Sequence, residues 1–395
     1  MKVFVFDLVA YAEHLDHLRV DGQLPYPMEK KHFRPQIAVQ TYREHLDAWV
    51  ELERMGFDGV AFNEHHVTPY GLMNSPNLIA ASAAQRTERL KLLMYGNLLP
   101  IHDPLRLAEE IAMLDCLSNG RIICGVARGA AREYRVFNVP LEESRARFDE
   151  CYDILVGAWT SERFTFNGRF HSYKDVAIWP RPVQQPHPPV WMPVSRSKDS
   201  IEWAAAHDVP ITPGIASGPA REDIVRYYAR CLAEHGKRIT PHHITITLDA
   251  YVADSTERAI EEYGPYALYF HNVLYNFDHV RLSDSGAYYS ESAAQYLRPE
   301  NRTAAFDDSN RVRDITMDEV VQQARNGPWG TPKRVADRII AEAEHLGSDT
   351  VIVSMNRGAV PQEMFLNQIH RFGTEVLPIL QRHEITRVPL AEAVG

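Results

Sequence analysis

Along the chain, short β-rich apolar runs alternate with amphipathic stretches, and the period of the apolar positions switches between about two and about 3.6 residues. KVFVFDLV (2–9) reads as a first strand and QTYREHLDAWVELERMG (40–56) as a helix that stops at Gly56. DGVAFNEHH (58–66) gives the second strand and its exit, and the Ala-rich stretch 75–86 a helix. LKLLMYGNLLP (90–100) and RIICGVARG (121–129) are strands three and four. Between them PLRLAEEIAMLDCLS (104–118) opens with a proline in its first turn, where a missing N–H costs nothing. A helix at 143–160 follows. PPVWMPVS (188–195), VPITPG (209–214), HITITLDAYVA (243–253) and DTVIVSMN (349–356) complete the strands, with helices at 197–208, near 219–235, at 333–347 and at 361–380.

Eight βα units in order predict an α/β chain folded as one (β/α)₈ TIM barrel over residues 1–382, with a C-terminal tail at 383–395. A doubly wound open sheet is the alternative, but it usually carries a Gly-rich turn after its first strand, and none is present. The polar, Tyr-rich segment 264–330 breaks the pattern. It is expected to be an irregular insertion in the seventh unit, of the kind that serves as a lid or an arm. The Pro-rich stretch 179–190 is expected to be an extended connector.

Composition narrows the function. A net charge of −10 over 395 residues argues against a nucleic-acid partner, which needs a clustered basic face. No run approaches the roughly 20 apolar residues of a membrane span. MKVFVFDLVAY holds a carboxylate within a short apolar run, so it reads as a strand and not as a secretory signal. Cys116, Cys124, Cys151 and Cys231 fall in no CxxC spacing and read as reduced thiols of a cytoplasmic protein.

In a barrel of this type the chemistry lies where strands exit at their C-terminal ends. The second strand leaves with Asn63, Glu64, His65 and His66, the third with Tyr95, Gly96 and Asn97, the fourth with Ala127, Arg128 and Gly129, and the fifth with Ser195-Arg196-Ser197-Lys198-Asp199-Ser200. The last loop enters a helix, where free N–H groups and the dipole favour an anion. The same serines suit ordinary helix capping, so the loop alone leaves both readings open. Arg128, directly after a strand and flanked by Gly125 and Gly129, favours a phosphate. The Glu64-His65-His66 triplet does not make a metal site, because adjacent residues at a strand end point apart and no further ligand falls at a usable spacing. One histidine inside the mouth, as acid, base or hydrogen-bond donor, or two satisfied structural histidines, are the readings left open. His102, His187, His242 and His243 lie in connectors and receive no role.

Several blocks together, in order and with similar gaps, resemble the bacterial luciferase-like flavin monooxygenases, above all the luciferase alpha chains. They are GFDGVAFNEHHVTPYGL (56–72), HDPLRLAEEIAMLDCLSNGRIICGVARG (102–129), EYRVFNVPLEESRA (133–146), SRSKDSIEWAA (195–205) and GTPKRVADRI (330–339). The resemblance covers about 1–260 and 329–382. It implies a catalytic role for His65 in the flavin's oxidative chemistry and a phosphate contact for Arg128. It implies phosphate-binding hydroxyls at Ser197 and Ser200, with Ser195 and Arg196 in the same loop. Tyr95 and Gly96 match a segment beside the isoalloxazine that often holds a cis peptide, and Asn97 is expected at the ring's pyrimidine edge. Glu64, His66 and Tyr70 are expected near the substrate.

The implied function is a two-component monooxygenase. Reduced FMN arrives from a separate flavin reductase, dioxygen forms a flavin C4a-peroxide, and a small organic substrate is oxygenated. The alternative on the same fold is a deazaflavin (F420)-dependent oxidoreductase that transfers hydride; a catalytically silent flavin-binding partner chain is a third reading, which the intact His65, Arg128 and Ser197 argue against. Ala127 stands where luciferase alpha chains carry a reactive thiol, and the loop 11–39 and the insertion are longer, so a non-luminescent relative is expected. A homodimer is expected by analogy.

Overall fold

The computed structural model describes residues 1–129, 131–194, 197–213, 218–277 and 314–392. Eight parallel strands form its centre: β1 (Lys2–Asp7), β2 (Gly59–Phe62), β3 (Lys91–Leu98), β4 (Ile122–Ala127), β5 (Val190–Val194), β6 (Ile211–Pro213), β7 (Thr245–Asp249) and β8 (Thr350–Ser354). Their order in the sheet is β6-β5-β4-β3-β2-β1-β8-β7. A single parallel bridge between Ile211 and Ile244 brings the two ends together, so the sheet is a nearly closed barrel.

The barrel follows from the alternation of side chains along each strand. In β1, Phe4 and Phe6 join the interior with Ala61, Leu93, Ile123, Trp191 and Ile352, while Val3 and Val5 pack outward on the helices. The interior cluster continues upward into Tyr70, Phe270 and Phe277, so the core runs without a break into the mouth at the C-terminal ends of the strands. β3 and β4 approach unusually closely: a Cβ on Gly125 would lie 1.8 Å from the Met94 carbonyl oxygen, which only glycine permits.

The helices lie close to their expected places. Pro104–Ser118 matches at both ends, because Asp103 caps the Arg106 amide and Asn119 takes the left-handed conformation that ends a helix. The closing helix, expected as one piece, divides into Gln362–Glu375 and Leu377–Arg382, since Pro378 cannot supply the N–H that continuity requires. The connector before β5 holds an antiparallel hairpin, Phe164–Asn167 with Ser172–Val176. Its loop is the four residues Gly168–His171, and it lies ahead of the stretch 179–190 expected to be an extended connector. Buried Glu150 fixes the tip by accepting hydrogen bonds from the Arg169, Phe170 and His171 amides.

The insertion is more regular at its flanks than expected. The helix Thr256–Tyr269 runs on through a π-helical turn, Phe270–Tyr275, and Met317–Asn326 is a second helix. The two pack together through Tyr263, Val320 and Trp329, beside a short parallel pairing of Tyr251–Val252 with Trp329–Gly330. No helix among the described residues is long and apolar enough to cross a membrane.

Candidate active site

After Phe62 the chain turns across the mouth. Asn63 is 3% exposed, and neither its amide nitrogen nor its oxygen has a hydrogen-bond partner. Glu64 lies behind the mouth wall with its carboxylate fully buried. It accepts from the Leu98 amide at 2.8 Å and meets His102 Nε2 at 2.9 Å and His66 Nε2 at 3.0 Å. Burial opposes its charge, but the two imidazoles and the amide outweigh burial and hold the carboxyl at a pKa of about 2. The same contact works in reverse on His102. Burial there disfavours the cation, yet Glu64 raises the imidazole above its ordinary value. Glu64 and His66, expected near the substrate, thus form with His102 a brace between the exits of β2 and β3. His102 received no role in the sequence because its partner is 38 residues away.

His65 has different neighbours. Its ring meets Tyr70 edge-on at 4.9 Å, and its Nδ1 lies 3.7 Å from a carboxylate oxygen of Glu133, which is itself buried beside Arg132. Tyr70 in turn packs on Phe270 at 5.6 Å and on Tyr275 at 6.4 Å between ring centres, which roofs this side of the mouth.

The β3–β4 pairing shifts register between Met94 and Asn97, and the two unpaired residues are Tyr95 and Gly96. The peptide between them is cis. A bulge of this kind re-aims side chains at a barrel rim. Tyr95 sends its ring into the barrel, edge-on to Phe6 at 5.6 Å, and its hydroxyl lies 3.3 Å from Thr247 Oγ1 of β7. Asn97 is fully buried; its amide donates to the Gly125 carbonyl at 3.3 Å, and its Oδ1 has no partner.

At the exit of β4 the Arg128 guanidinium lies 3.9 Å from the exposed carboxylate of Asp199. Ser195 and Arg196 lie outside the described residues. Ser197 occupies the N-cap position of the helix Lys198–His207, yet its hydroxyl makes no capping bond and is buried without a partner. Ordinary capping therefore does not account for that serine. Ser200 Oγ accepts from Arg145 Nη2 at 3.1 Å. Arg145 comes from the helix Ser144–Thr160 and also pairs with Asp149 at 3.2 Å, and its Nε is buried without a partner. Burial first, and then the neighbouring Arg128 charge, pull the Arg145 guanidinium below its ordinary range, against the opposing pull of Asp149. Two arginines, each near a carboxylate, beside unpartnered buried donors make a corner that could hold an anion. Arg145 falls inside one of the blocks noted above, but an arginine near the start of a helix reads as solvated until its tertiary neighbours are known. Asn63 was placed at the exit of the second strand but received no role, because its lack of partners shows only in the fold.

A phosphorylated flavin fits this arrangement. Its phosphate suits the Arg128–Arg145–Ser197–Ser200 corner, and its hydrogen-bonding ring suits the unpartnered amide atoms of Asn97 and Asn63.

Comparison with known proteins agrees with this. The family model described as luciferase-like monooxygenase matches residues 19–350. The alkanal monooxygenase alpha chain of Aliivibrio fischeri is 24% identical over 344 residues, covering 85% of this chain and 92% of that one. Among solved structures, the oxygenating constituent of 3,6-diketocamphane monooxygenase from Pseudomonas putida, a type II Baeyer-Villiger monooxygenase in complex with FMN, superposes with a TM-score of 0.70 at 17% identity. That match covers 96% of this chain and 98% of the other. An F420-dependent secondary alcohol dehydrogenase, in complex with an F420-acetone adduct, superposes with a TM-score of 0.62 at 14% identity, covering 96% and 98%. At such identities the two structures show the fold alone. The chain belongs to the luciferase-like monooxygenase family, an oxidoreductase of the flavin-dependent kind built on a (β/α)₈ barrel.

Proposed function

We propose that the protein is the oxygenase component of an FMN-dependent, two-component monooxygenase. Reduced FMN comes from a separate flavin reductase, dioxygen is the oxidant, and a small organic molecule is the substrate. The observation that carries this reading is the first turn of the helix Lys198–His207, which Arg145 reaches at Ser200 and Arg128 at Asp199, next to the unpartnered Ser197 hydroxyl. When bound, reduced FMN supplies the two electrons that let one atom of dioxygen enter the substrate while the other leaves as water.

The residues of this chain have three tasks. Arg128, Arg145, Ser197 and Ser200, together with Ser195 and Arg196 of the same loop, bind the phosphate. Asn97 and Asn63 orient the ring, with Tyr95 and Gly96 beside it. His65, backed by the buried carboxylate of Glu133, holds or passes a proton at the mouth. Tyr70, Phe270 and Tyr275 keep water out from above. Glu64, His66 and His102 keep the β2 and β3 exits at fixed spacing, so His65 and Asn97 face one site.

Anaerobic titration with reduced FMN, followed by mixing with air, tests the reading. His65→Ala should retain FMN affinity within about threefold and slow flavin reoxidation about a hundredfold or more, the scale of a lost acid–base group. Unchanged reoxidation would remove that role. The second reading, a deazaflavin-dependent hydride transfer, is favoured by the fold shared with the F420-dependent dehydrogenase. Tight binding of F420 with none of reduced FMN would establish it in place of the first.

A further inference from the structure

One cation at the mouth is not used by the flavin site. Arg357 lies three residues beyond β8. Its backbone amide donates to the Tyr263 hydroxyl at 3.2 Å, and its Nε donates to Ser354 Oγ at 3.2 Å. The same Nε lies 3.8 Å from Asp249, whose carboxylate accepts a shorter bond from Tyr263 at 2.9 Å. One edge of the guanidinium is thereby fixed. The Nη edge makes no hydrogen bond among the described residues, and 27% of the side chain is exposed. Burial opposes the charge, but Asp249 outweighs it and keeps Arg357 protonated. A fixed, charged fork that is partly exposed and whose Nη edge makes no hydrogen bond among the described residues, at the end of a barrel strand, is placed for a ligand.

What lies around that edge describes the ligand. The guanidinium carbon is 5.3 Å from the centre of the Phe270 ring. Phe270 packs on Tyr70 at 5.6 Å and on Tyr275 at 6.1 Å, and the Tyr70 and Tyr275 phenols are close enough to act on the Arg357 charge. Tyr70 also touches His65, so the aromatic surface leads from the cation to the proposed proton-handling group. The Arg357 charge reaches Tyr95, beside the proposed flavin ring, as well. Asp249 already offsets part of the charge, so the site suits a monoanion better than a dianion. A planar fork matches a carboxylate in two parallel hydrogen bonds.

We propose that Arg357 is the substrate's anion anchor: the mouth takes a small carboxylate with a flat apolar body, its carboxylate on the Nη edge of Arg357 and its body against Tyr70, Phe270 and Tyr275. This rests on the oxygenase reading above and names the substrate class for it.

The test is calorimetric. Protein loaded anaerobically with reduced FMN is titrated with benzoate, phenylacetate and 4-methylbenzoate, and with the primary amide of each. The acids should bind about tenfold or more tightly than their amides, the scale of a charge-assisted bond. Arg357→Met should bring acid and amide within about twofold of each other and leave FMN affinity unchanged. Arg357→Lys, which keeps the charge without the fork, should fall between. Equal binding of acid and amide by the wild-type protein overturns the proposal, as does an acid preference that survives Arg357→Met. If Arg357→Met unfolds, the wild-type comparison and Arg357→Lys decide, and an undiminished preference in Arg357→Lys overturns the fork. Titration of the wild-type protein with FMN alone separates the two ideas. FMN binding without acid preference removes only the anchor; acid preference without FMN binding removes the flavin reading.

Discussion

Two polar clusters flank the mouth, a few strands apart, and both hold ionised groups out of water. Around Glu64 the carboxylate has three partners, and His102 and the Leu98 amide come from the neighbouring strand's exit. Around Arg145 the satisfaction is partial: Arg145 pairs with Asp149 and Arg128 lies near Asp199, but Arg145 Nε and Ser197 Oγ are buried without partners. A buried polar group that lacks its partner costs about 1–3 kcal/mol, so a fold keeps such groups where something else completes them. The first cluster is finished by the chain itself and serves structure. The second leaves donors unpaired, which is why an anion is proposed there. Residue type alone would rank them the other way, because Glu-His-His looks more like chemistry than Arg and Ser do.

The sharpest test of the finished cluster is Glu64→Gln, which should lower stability at neutral pH by about 3 kcal/mol, the linkage value of a carboxyl held near 2 against an ordinary value near 4.5. The sign follows from the lowered value: the contribution is full above the unfolded pKa and is lost as pH falls from about 4.5 towards 2. Urea unfolding at pH 7 and at pH 3 should show the gap between wild type and variant narrowing with acid. An equal gap at both values would break the account of this cluster. Next in size, Arg128→Ala should weaken FMN binding about ten- to a hundredfold and riboflavin binding little, measured by calorimetry. Equal losses for both would take the phosphate away from Arg128. The smallest effect is the most diagnostic. Ser197→Ala should raise the melting temperature of the ligand-free protein, because it removes a buried hydroxyl that bonds nothing there, and weaken FMN binding about threefold to tenfold. A destabilised variant with normal FMN affinity would place Ser197 among the finished groups.

The same contrast explains what was legible in the sequence. Strand and helix periods are local, so the order of eight βα units and the helix Pro104–Ser118 could be read directly. Arg128 could be singled out because it directly follows a strand between glycines. Arg145 could not, because its significance lies in Ser200, 55 residues away. His102 looked like connector sequence because Glu64, its partner, belongs to another unit. At the flanks of the insertion, Tyr-rich polarity masked helices. The surfaces that bury Tyr263 and Val320 come from segments far apart in the chain, and Pro265 lies inside the first of them. The hairpin is a different case: it is short, and its tip is held by Glu150, about twenty residues earlier in the chain.

The near-closure of the barrel has a consequence for how the molecule breathes. Among the described residues, six seams are ladders of three or more paired residues and β4–β5 has two pairs, while the eighth, between the three-residue β6 and the start of β7, holds by the single Ile211–Ile244 bridge. A cylinder with one weak seam opens there first, and sub-global opening is where amide protons exchange fastest. β6 neighbours β5, from whose end the proposed phosphate loop springs, so a ligand gripped by that loop would slow exchange along the seam as well as at its own contacts. The barrel's loosest joint would then also be the place where an arriving cofactor does most to tighten it.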